Sequence, residues 1–543
     1  SISLHIFVWL SIFPLCFFIY SLKQPGSWSY LPIGILIVTL IFALIGIGQG
    51  LFLNELSRSL FQTRNTYGAM LNLIALPITA YFISSKQPYN RSSILWGIIL
   101  FILFFAVFQT NGRGSILSLC LGLIFIFVTS WKYIENSSFI TVVIIVTAAF
   151  LFANIQTEGV TVNRLEELST KAAAPSAAVR LLMWKSAWPI IKTSPIIGTG
   201  IGTFFIVFPA VRHPDDSSSG NYLHNDYLQF WLETGFIGLC LMMFIMVAIS
   251  MLFLSVLRYK NIILQDRLEI IGLISGLFAV AIHTFVDFNF YIIAILMIMG
   301  FMCARIQEIS GHYFPGLIRV FTPAHKLSKK IFILVAGVIP VIILSYSLPV
   351  AIAEFYRGKA SEYLENVQIK KAQLTLERAA MWNPGSINIR FQQFSLYRNI
   401  LEINKSNAPP RMRKDLFAKA LLILNKIESI NPLMGAVPEN RGHLLIENTD
   451  IVVDDWEEKA IFEFNKALQL HPRLFRSRVA LARLLNQRGE LHEAALLMND
   501  GIRYYYDSYL TGLEEFYRYA VRLNLMIGDT AKAREVHQKI HEL

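Results

Sequence analysis

The chain has 543 residues, of which 54% are hydrophobic and only 16% charged, and its mean hydropathy is +0.50. Soluble domains carry about 25% charged residues, so this composition excludes an ordinary soluble protein and describes a polytopic membrane protein. The formal net charge of +11 would suit a nucleic-acid binder, but no Lys/Arg tract alternates with aromatics, and no nucleic-acid partner is expected.

A helix needs about 20 apolar residues to cross a bilayer. Ten runs qualify in chain order: 4–22, 30–47, 67–83, 94–108, 115–130, 139–155, 227–257, 268–286, 288–303 and 331–348. The sequence opens on Ser1 inside the first run, without a start methionine or signal pattern, which suggests an N-terminal truncation. Cys16, Cys120, Cys240 and Cys303 all lie within apolar runs. They read as small buried hydrophobes, neither a disulfide framework nor metal ligands.

Orientation follows from Lys and Arg in the short connections. Arg305, Arg319, Lys326, Lys329 and Lys330 follow the ninth run, and Arg258, Lys260 and Arg267 follow the seventh; both connections should be cytoplasmic. Counting back, Lys132, Lys86 and Arg91 also fall inside. The long polar segment 156–226 and everything after the tenth run then share the opposite compartment, which in a bacterium is the periplasm. Arg58, Arg64 and Arg113 lie at outer span ends, where the positive-inside rule disfavours them. Facing the same compartment as Arg180 and His224, they point to an anion-binding surface.

The seventh run is introduced by "NYLHNDYLQFWLETGFIGL". Asn225 or Asp226 suits a helix cap, and Asp226, Gln229, Phe230 and Glu233 fall on one stripe by the three-and-four rule. A carboxylate in lipid is costly, so Glu233 must face the bundle interior or a wet cavity. His224 tops that stripe, where a neutral imidazole is able to take a proton from a hydroxyl. At the outer end of the eighth run, "HTFVDF" sets His283 and Asp287 four apart on one face. "GTGIG", Gly198 to Gly202, reads as a turn that lets the loop fold back.

The tail from Glu354 is polar and repetitive. Ala372, Leu376, Ala379 and Pro384 recur as Ala420, Leu424, Ile427 and Pro432, and again as Ala460, Phe464, Ala467 and Pro472. Ala494, Met498 and Gly501 continue without the proline, and Ala533, His537 and Ile540 echo it. Ala460 to Ala494 is one tetratricopeptide period. Longer spacings elsewhere imply loops between repeats, such as 433–455. The fold class is therefore all-α: a polytopic domain of about ten spans over 1–350, with the polar loop 156–226, then a tetratricopeptide-like α-solenoid over 351–543 with a face suited to a protein partner.

Four stretches resemble the bacterial O-antigen ligase and polymerase superfamily, which includes protein O-oligosaccharyltransferases: "NGRGS" (Asn111–Ser115), "RLLMWKSAWPIIKTSPIIGTGIGTF" (Arg180–Phe204), "HNDYLQFWLETGFIG", and "HTFVDFNF" (His283–Phe290). The resemblance implies glycan transfer from an undecaprenyl-pyrophosphate donor to a lipid-core, glycan or protein acceptor at the periplasmic face of the inner membrane. It implies no metal or other cofactor. Carried onto this chain, it makes Arg113 and Arg180 the holders of the pyrophosphate and His224 the group that activates the acceptor, with Asp287 orienting an arginine or the substrate behind them. Asn225, Asp226, Glu233 and His283 join Asp287 as expected substrate-binding residues, and Arg58 and Arg64 are added from topology. A transporter of lipid-linked glycans would show repeated halves, which are not found; a non-catalytic scaffold leaves His224 and Glu233 unexplained.

Overall fold

The structure, a computed structural model, describes residues 12–21, 30–53, 55–84, 91–169, 174–314, 326–406, 408–452, 455–507 and 510–541. Every regular element among them is helical. The chain divides into two compact units, residues 2–204 with 221–321, and residues 205–220 with 322–543.

In the first unit the helices are α1 (Ile12–Ser21), α2 (Leu31–Phe52), α3 (Arg64–Ser84), α4 (Arg91–Gln109), α5 (Arg113–Ser130), α6 (Asn136–Gln156), α7 (Val160–Ser169), α8 (Ala174–Thr193), α9 (Asp226–Arg258), α10 (Leu264–His283) and α11 (Ile293–Tyr313). Among the described residues seven helices of the chain are long and apolar enough to cross a membrane: α2 to α6, α9 and α11. The eighth expected span is α10, which opens with Asp266, Arg267 and Glu269 and is nonetheless among the most buried helices. Residues 4–11 and 22 of the first expected span lie outside the described residues, as do Lys86 and Arg319.

Helices α3 and α10 form the centre. Small residues bring them together, because lipid supplies no hydrophobic drive for helix association: a Cβ on Gly272 would come within 2.9 Å of Pro77 Cα, and one on Gly276 within 2.9 Å of Leu73 O. Buried polar groups close the neighbouring contacts. Asn72 donates to Ser115 O (2.7 Å) and Ser118 Oγ (2.9 Å), and Ser275 donates to Gly122 O (2.7 Å). Polar contacts also mark the two ends of the bundle. At one end Gln109 donates to Gln156, Gln156 to Gly50 O, and Thr161 to Asn111. At the other, Arg305 pairs with Glu269 and Glu308, Tyr313 donates to Asp266, and Arg267 covers the Tyr133 ring.

The expected seventh span is a single 33-residue helix on paper and two in space, because Gly235 (φ 68°, ψ −174°) breaks it. The segment 195–200 runs alongside the break. Thr199 and Gly200 N–H donate to Leu232 and Glu233 O, and Phe236 and Ile237 N–H donate to Pro195 and Ile196 O. The glycines of "GTGIG" are therefore more than a turn: they let this segment lie backbone to backbone against the broken helix.

The second unit contains residues 205–220 and the helices α12 (Lys326–Glu365), α13 (Ile369–Trp382), α14 (Ile387–Ile403), α15 (Pro410–Ile430), α16 (Ala436–Glu447), α17 (Trp456–Leu470), α18 (Phe475–Gln487), α19 (Leu491–Ile502), α20 (Leu513–Met526) and α21 (Thr530–His541). They pack in antiparallel pairs α12/α13, α14/α15, α16/α17, α18/α19 and α20/α21. The repeat alanines Ala372, Ala420, Ala460 and Ala494 sit on the second helix of each pair and are fully buried. Pro384, Pro432 and Pro472 lie just beyond the ends of α13, α15 and α17, where the missing N–H and fixed φ end a helix.

Two expectations are corrected here. Residues 433–455 are not an inserted loop but contain α16, whose Val437, Leu444 and Leu445 bury against neighbouring helices. The tenth expected span lies inside α12, which runs unbroken past residue 350 and supplies the first helix of the first pair.

Candidate functional site at one end of the helical bundle

The stretches "NGRGS", 180–204, "HND" and "HTFVDFNF" come together in the first unit. Asn111 takes a left-handed conformation (φ 49°), held by Thr161 Oγ1 at 2.9 Å, and so turns the chain between α4 and α5. Two residues on, Arg113 opens α5 and donates to Ser176 Oγ of α8 at 2.9 Å. A Cβ on Gly114 would lie 2.6 Å from His283 Nε2, so the "NGRGS" turn packs directly on the end of α10. Arg64 opens α3, half-buried, and its neighbour Asn65 abuts Gly112.

His224 is also left-handed (φ 52°). A non-glycine residue holds that conformation only where its surroundings impose it. Here Trp184 Nε1 donates to Leu223 O (3.0 Å), and Leu223 N–H donates to Gln229 Oε1 (2.9 Å). Asn225 is the cap of α9, accepting Leu228 N–H at 3.1 Å. Asp226 N–H donates to Thr284 O, and its carboxylate accepts Phe290 N–H at 2.7 Å. These bonds lock the "HND" turn to the "HTFVDFNF" turn.

Asp287 sits between two imidazoles. Its Oδ1 is 3.4 Å from His224 Nδ1 and its Oδ2 is 3.7 Å from His283 Nε2. The expected helical face for His283 and Asp287 is corrected: α10 ends at His283, and the chain turns back through 284–287 to bring the carboxylate there. Burial works to raise the Asp287 pKa, but His224, the charge of His283 and the Phe288 N–H outweigh it and hold the carboxyl below the ordinary aspartate value. It is therefore an anion at neutral pH. Arg180 is pushed below the ordinary arginine value by burial, with Asp287 opposing and Arg113 adding to the shift. Both Asp287 and Arg113 are thus its electrostatic neighbours. Its Nε is buried without a hydrogen-bond partner among the described residues. A guanidinium so placed stays charged and is short of anionic contacts.

Phe288 stacks on Tyr222 (4.0 Å, 5°) and meets His224 edge-on at 5.2 Å. The site thus joins a half-exposed imidazole, a buried carboxylate and two arginines to an aromatic wall. Ser176, Trp184, Tyr222 and Phe288 were not singled out from sequence; Trp184 alone carried a signal, four residues after Arg180 on the same helical face.

Other expected residues have different surroundings. Glu233 is buried and accepts from Gly202 N–H (2.8 Å), Phe204 N–H (3.3 Å), Tyr291 Oη (2.8 Å) and Gln229 Nε2 (3.2 Å). Four donors account for it as the pin that holds 195–204 to α9. Asn225 and Asp226, buried and engaged as above, belong with it. Arg58 is exposed on the loop after α2, where Gln49 binds the backbone N–H of Arg58 and Ser59. Nothing in the described residues joins its side chain to the His224–Asp287 group.

The fold and site define a multi-pass helical membrane protein with a cationic, histidine-bearing cluster at one end of its bundle and a helical-repeat tail. Residues 98–243, from within α4 to the first half of α9, match the family model described as O-antigen ligase. Arg113, Arg180 and His224 fall inside the match, and the fold adds Asp287 and His283 from beyond it. No curated protein matches the chain. Among solved structures, MamA from Desulfovibrio magneticus RS-1 aligns at 14% identity over 35% of this chain and 94% of its own, with a TM-score of 0.26. Yeast Tom70 aligns at 11% identity over 95% of this chain and 100% of its own, with a TM-score of 0.25. Scores this low carry no weight for either unit.

Proposed function

We propose that the protein is a membrane glycosyltransferase that moves a glycan from an undecaprenyl-pyrophosphate carrier to an acceptor hydroxyl, at the periplasmic face of a bacterial inner membrane and without a metal. The observation that carries this reading is the convergence of Asp287 with His224, Arg113 and Arg180, the last three of which lie in the stretch that matches the O-antigen ligase model.

Asp287 faces Nδ1 of His224, which assigns the ring proton to Nδ1 and leaves Nε2 free as a base. The acceptor hydroxyl loses its proton to Nε2 as its oxygen bonds to the anomeric carbon. The bond from that carbon to the pyrophosphate oxygen breaks, and the electron pair leaves on the pyrophosphate. Charge therefore develops on phosphate oxygens, where the planar, permanently charged groups of Arg113 and Arg180 stabilise it in the role a divalent cation plays elsewhere. Attack from the face opposite the phosphate inverts the anomeric centre. His283 supports Asp287 from behind, and Asn225, Asp226 and Glu233 position the turn that carries His224. Arg64 flanks the phosphate site, and Arg58 meets lipid headgroups near it.

The test is transfer by the purified full chain in lipid nanodiscs, with synthetic undecaprenyl-pyrophosphate glycan and excess chelator. Lipid core, free glycan and acceptor protein are offered in separate arms, so the arm that yields product names the acceptor. Donor left intact in every arm, or consumed only without chelator, contradicts the proposal.

A further inference from the structure

His224 lies at the end of a strap with a second anchor. Residues 205–220 pack with the tail in one unit, and the contact is specific. Arg473 Nη2, from the start of the turn between α17 and α18, donates to the carbonyls of His213 (2.7 Å), Pro214 (3.0 Å) and Asp216 (2.6 Å). Tyr505 N–H, after α19, donates to Pro214 O at 2.8 Å. The strap is also tied to itself: Arg212 Nε meets Asp216 Oδ2 at 2.9 Å, and Asp216 Oδ1 accepts Ser218 N–H at 2.8 Å. Asp216 is fully buried.

The two N–H groups of one guanidinium nitrogen, Nη2, are shared among three main-chain carbonyls and hold the turn by its backbone. The neighbouring imidazole adds no charge of its own: burial, Arg212 and Arg473 push His471 down to about 4. At its other end the strap is fixed at Leu223 by Trp184 and Gln229. Only 217–222 separate the two anchors, and the left-handed His224 follows directly. An imidazole that must sit within hydrogen-bond reach of both Asp287 and an acceptor tolerates little misplacement; about 1 Å of error costs on the order of a hundredfold in rate.

We propose that Arg473 is a positioning residue for transfer, and that the tail grips the chain's own strap at 213–216, which it holds so that His224 stays in register with Asp287. This rests on His224 being the base. It also gives the repeat array a role inside the reaction, through its grip on a peptide backbone.

The test uses the full chain in nanodiscs and two readouts: amide hydrogen exchange in 219–224, and transfer kinetics with the pyrophosphate-linked donor. In Arg473→Ala, exchange in 219–224 rises about tenfold or more, and kcat falls about tenfold while the donor KM stays within about twofold. Asp216→Ala, which leaves every tail side chain in place, gives the same pattern and decides the matter if Arg473→Ala does not accumulate. Arg476→Ala, which removes a bond to Thr511 O and a charge near Glu439 and His443 but none of the bonds that Arg473 and Tyr505 make to 213–216, leaves both readouts unchanged. Unchanged exchange in Arg473→Ala and Asp216→Ala overturns the proposal, as does raised exchange with unchanged kcat. A wild-type chain inactive on this donor defeats the functional reading instead, and the exchange result still decides whether Arg473 holds the strap.

Discussion

Gly114 has no room for a side chain, since a methyl there would lie 2.6 Å from His283 Nε2. His283 is fully buried and its Nε2 is 3.7 Å from Asp287 Oδ2, so it yields only by shifting toward or away from that carboxylate. Gly114→Ala should therefore reach the reaction without touching substrate. Transfer is expected to fall about tenfold or more while the protein inserts and accumulates normally, and wild-type turnover would show that the His283–Asp287 contact is dispensable. Arg113→Lys and Arg180→Lys should also fail despite keeping their charge, because an ammonium does not reproduce the fork that grips a pyrophosphate. Their turnover against wild type checks this. At this scale the sequence was informative: Arg113, His224 and Asp287 stand out as polar groups at span ends, and Arg180 as a charge within the polar segment 156–226. Arg58 stood out for the same reason, and its exposed side chain shows no bond to these groups among the described residues, because position at a span end does not say which way a side chain turns.

The least legible feature at the scale of elements was the break in α9. Residues 227–257 are apolar enough to read as one span, yet 31 residues exceed the need of a bilayer, and Thr234-Gly235 near the start was the available sign. The backbone of 195–200 fills the break, and a Cβ on Gly235 would meet Ile196 O at 2.1 Å. Gly235→Ala combines a clash with a conformation open almost only to glycine, a cost of about 2–4 kcal/mol. Faster loss of folded protein on mild heating in detergent is the expected result; wild-type survival would mean the two backbones can part. Residues 288–292 were read as the start of a span because Phe288, Phe290 and Tyr291 are apolar in kind. They belong to the site loop, where Phe288 and Tyr291 are buried against Tyr222.

For the whole molecule, composition was enough to place most of the chain in a membrane, and the alanine–proline rhythm was enough to find the repeat. What no local pattern carried was the capture of 205–220 by the tail, made by groups more than 250 residues apart. That contact puts the strap and the tail in one aqueous compartment. The tail should also be acid-sensitive. His443 and His471 are each pushed from 6.5 to about 4, chiefly by burial, with Arg398 and Arg476 acting on the first and Arg212 and Arg473 on the second. Between those values the unfolded chain binds more protons than the folded one, so stability present above pH 6.5 is lost as pH falls toward 4, at most about 3 kcal/mol per histidine. His443→Gln should be less stable than wild type at pH 7.5 and should lose less on moving to pH 4.5; parallel losses in thermal scans of the tail would contradict the assignment.

The central claim is that His224 takes the acceptor proton while arginines, and no metal, bear the leaving pyrophosphate. Its most direct test is the single-turnover rate of glycan transfer by His224→Ala beside wild type, both in excess chelator and at saturating donor. Wild type is expected to keep its full rate, and His224→Ala to be slower by about 10²–10⁴-fold with donor binding unchanged. Transfer by His224→Ala at the wild-type rate, or a wild-type rate that collapses in chelator, would contradict it.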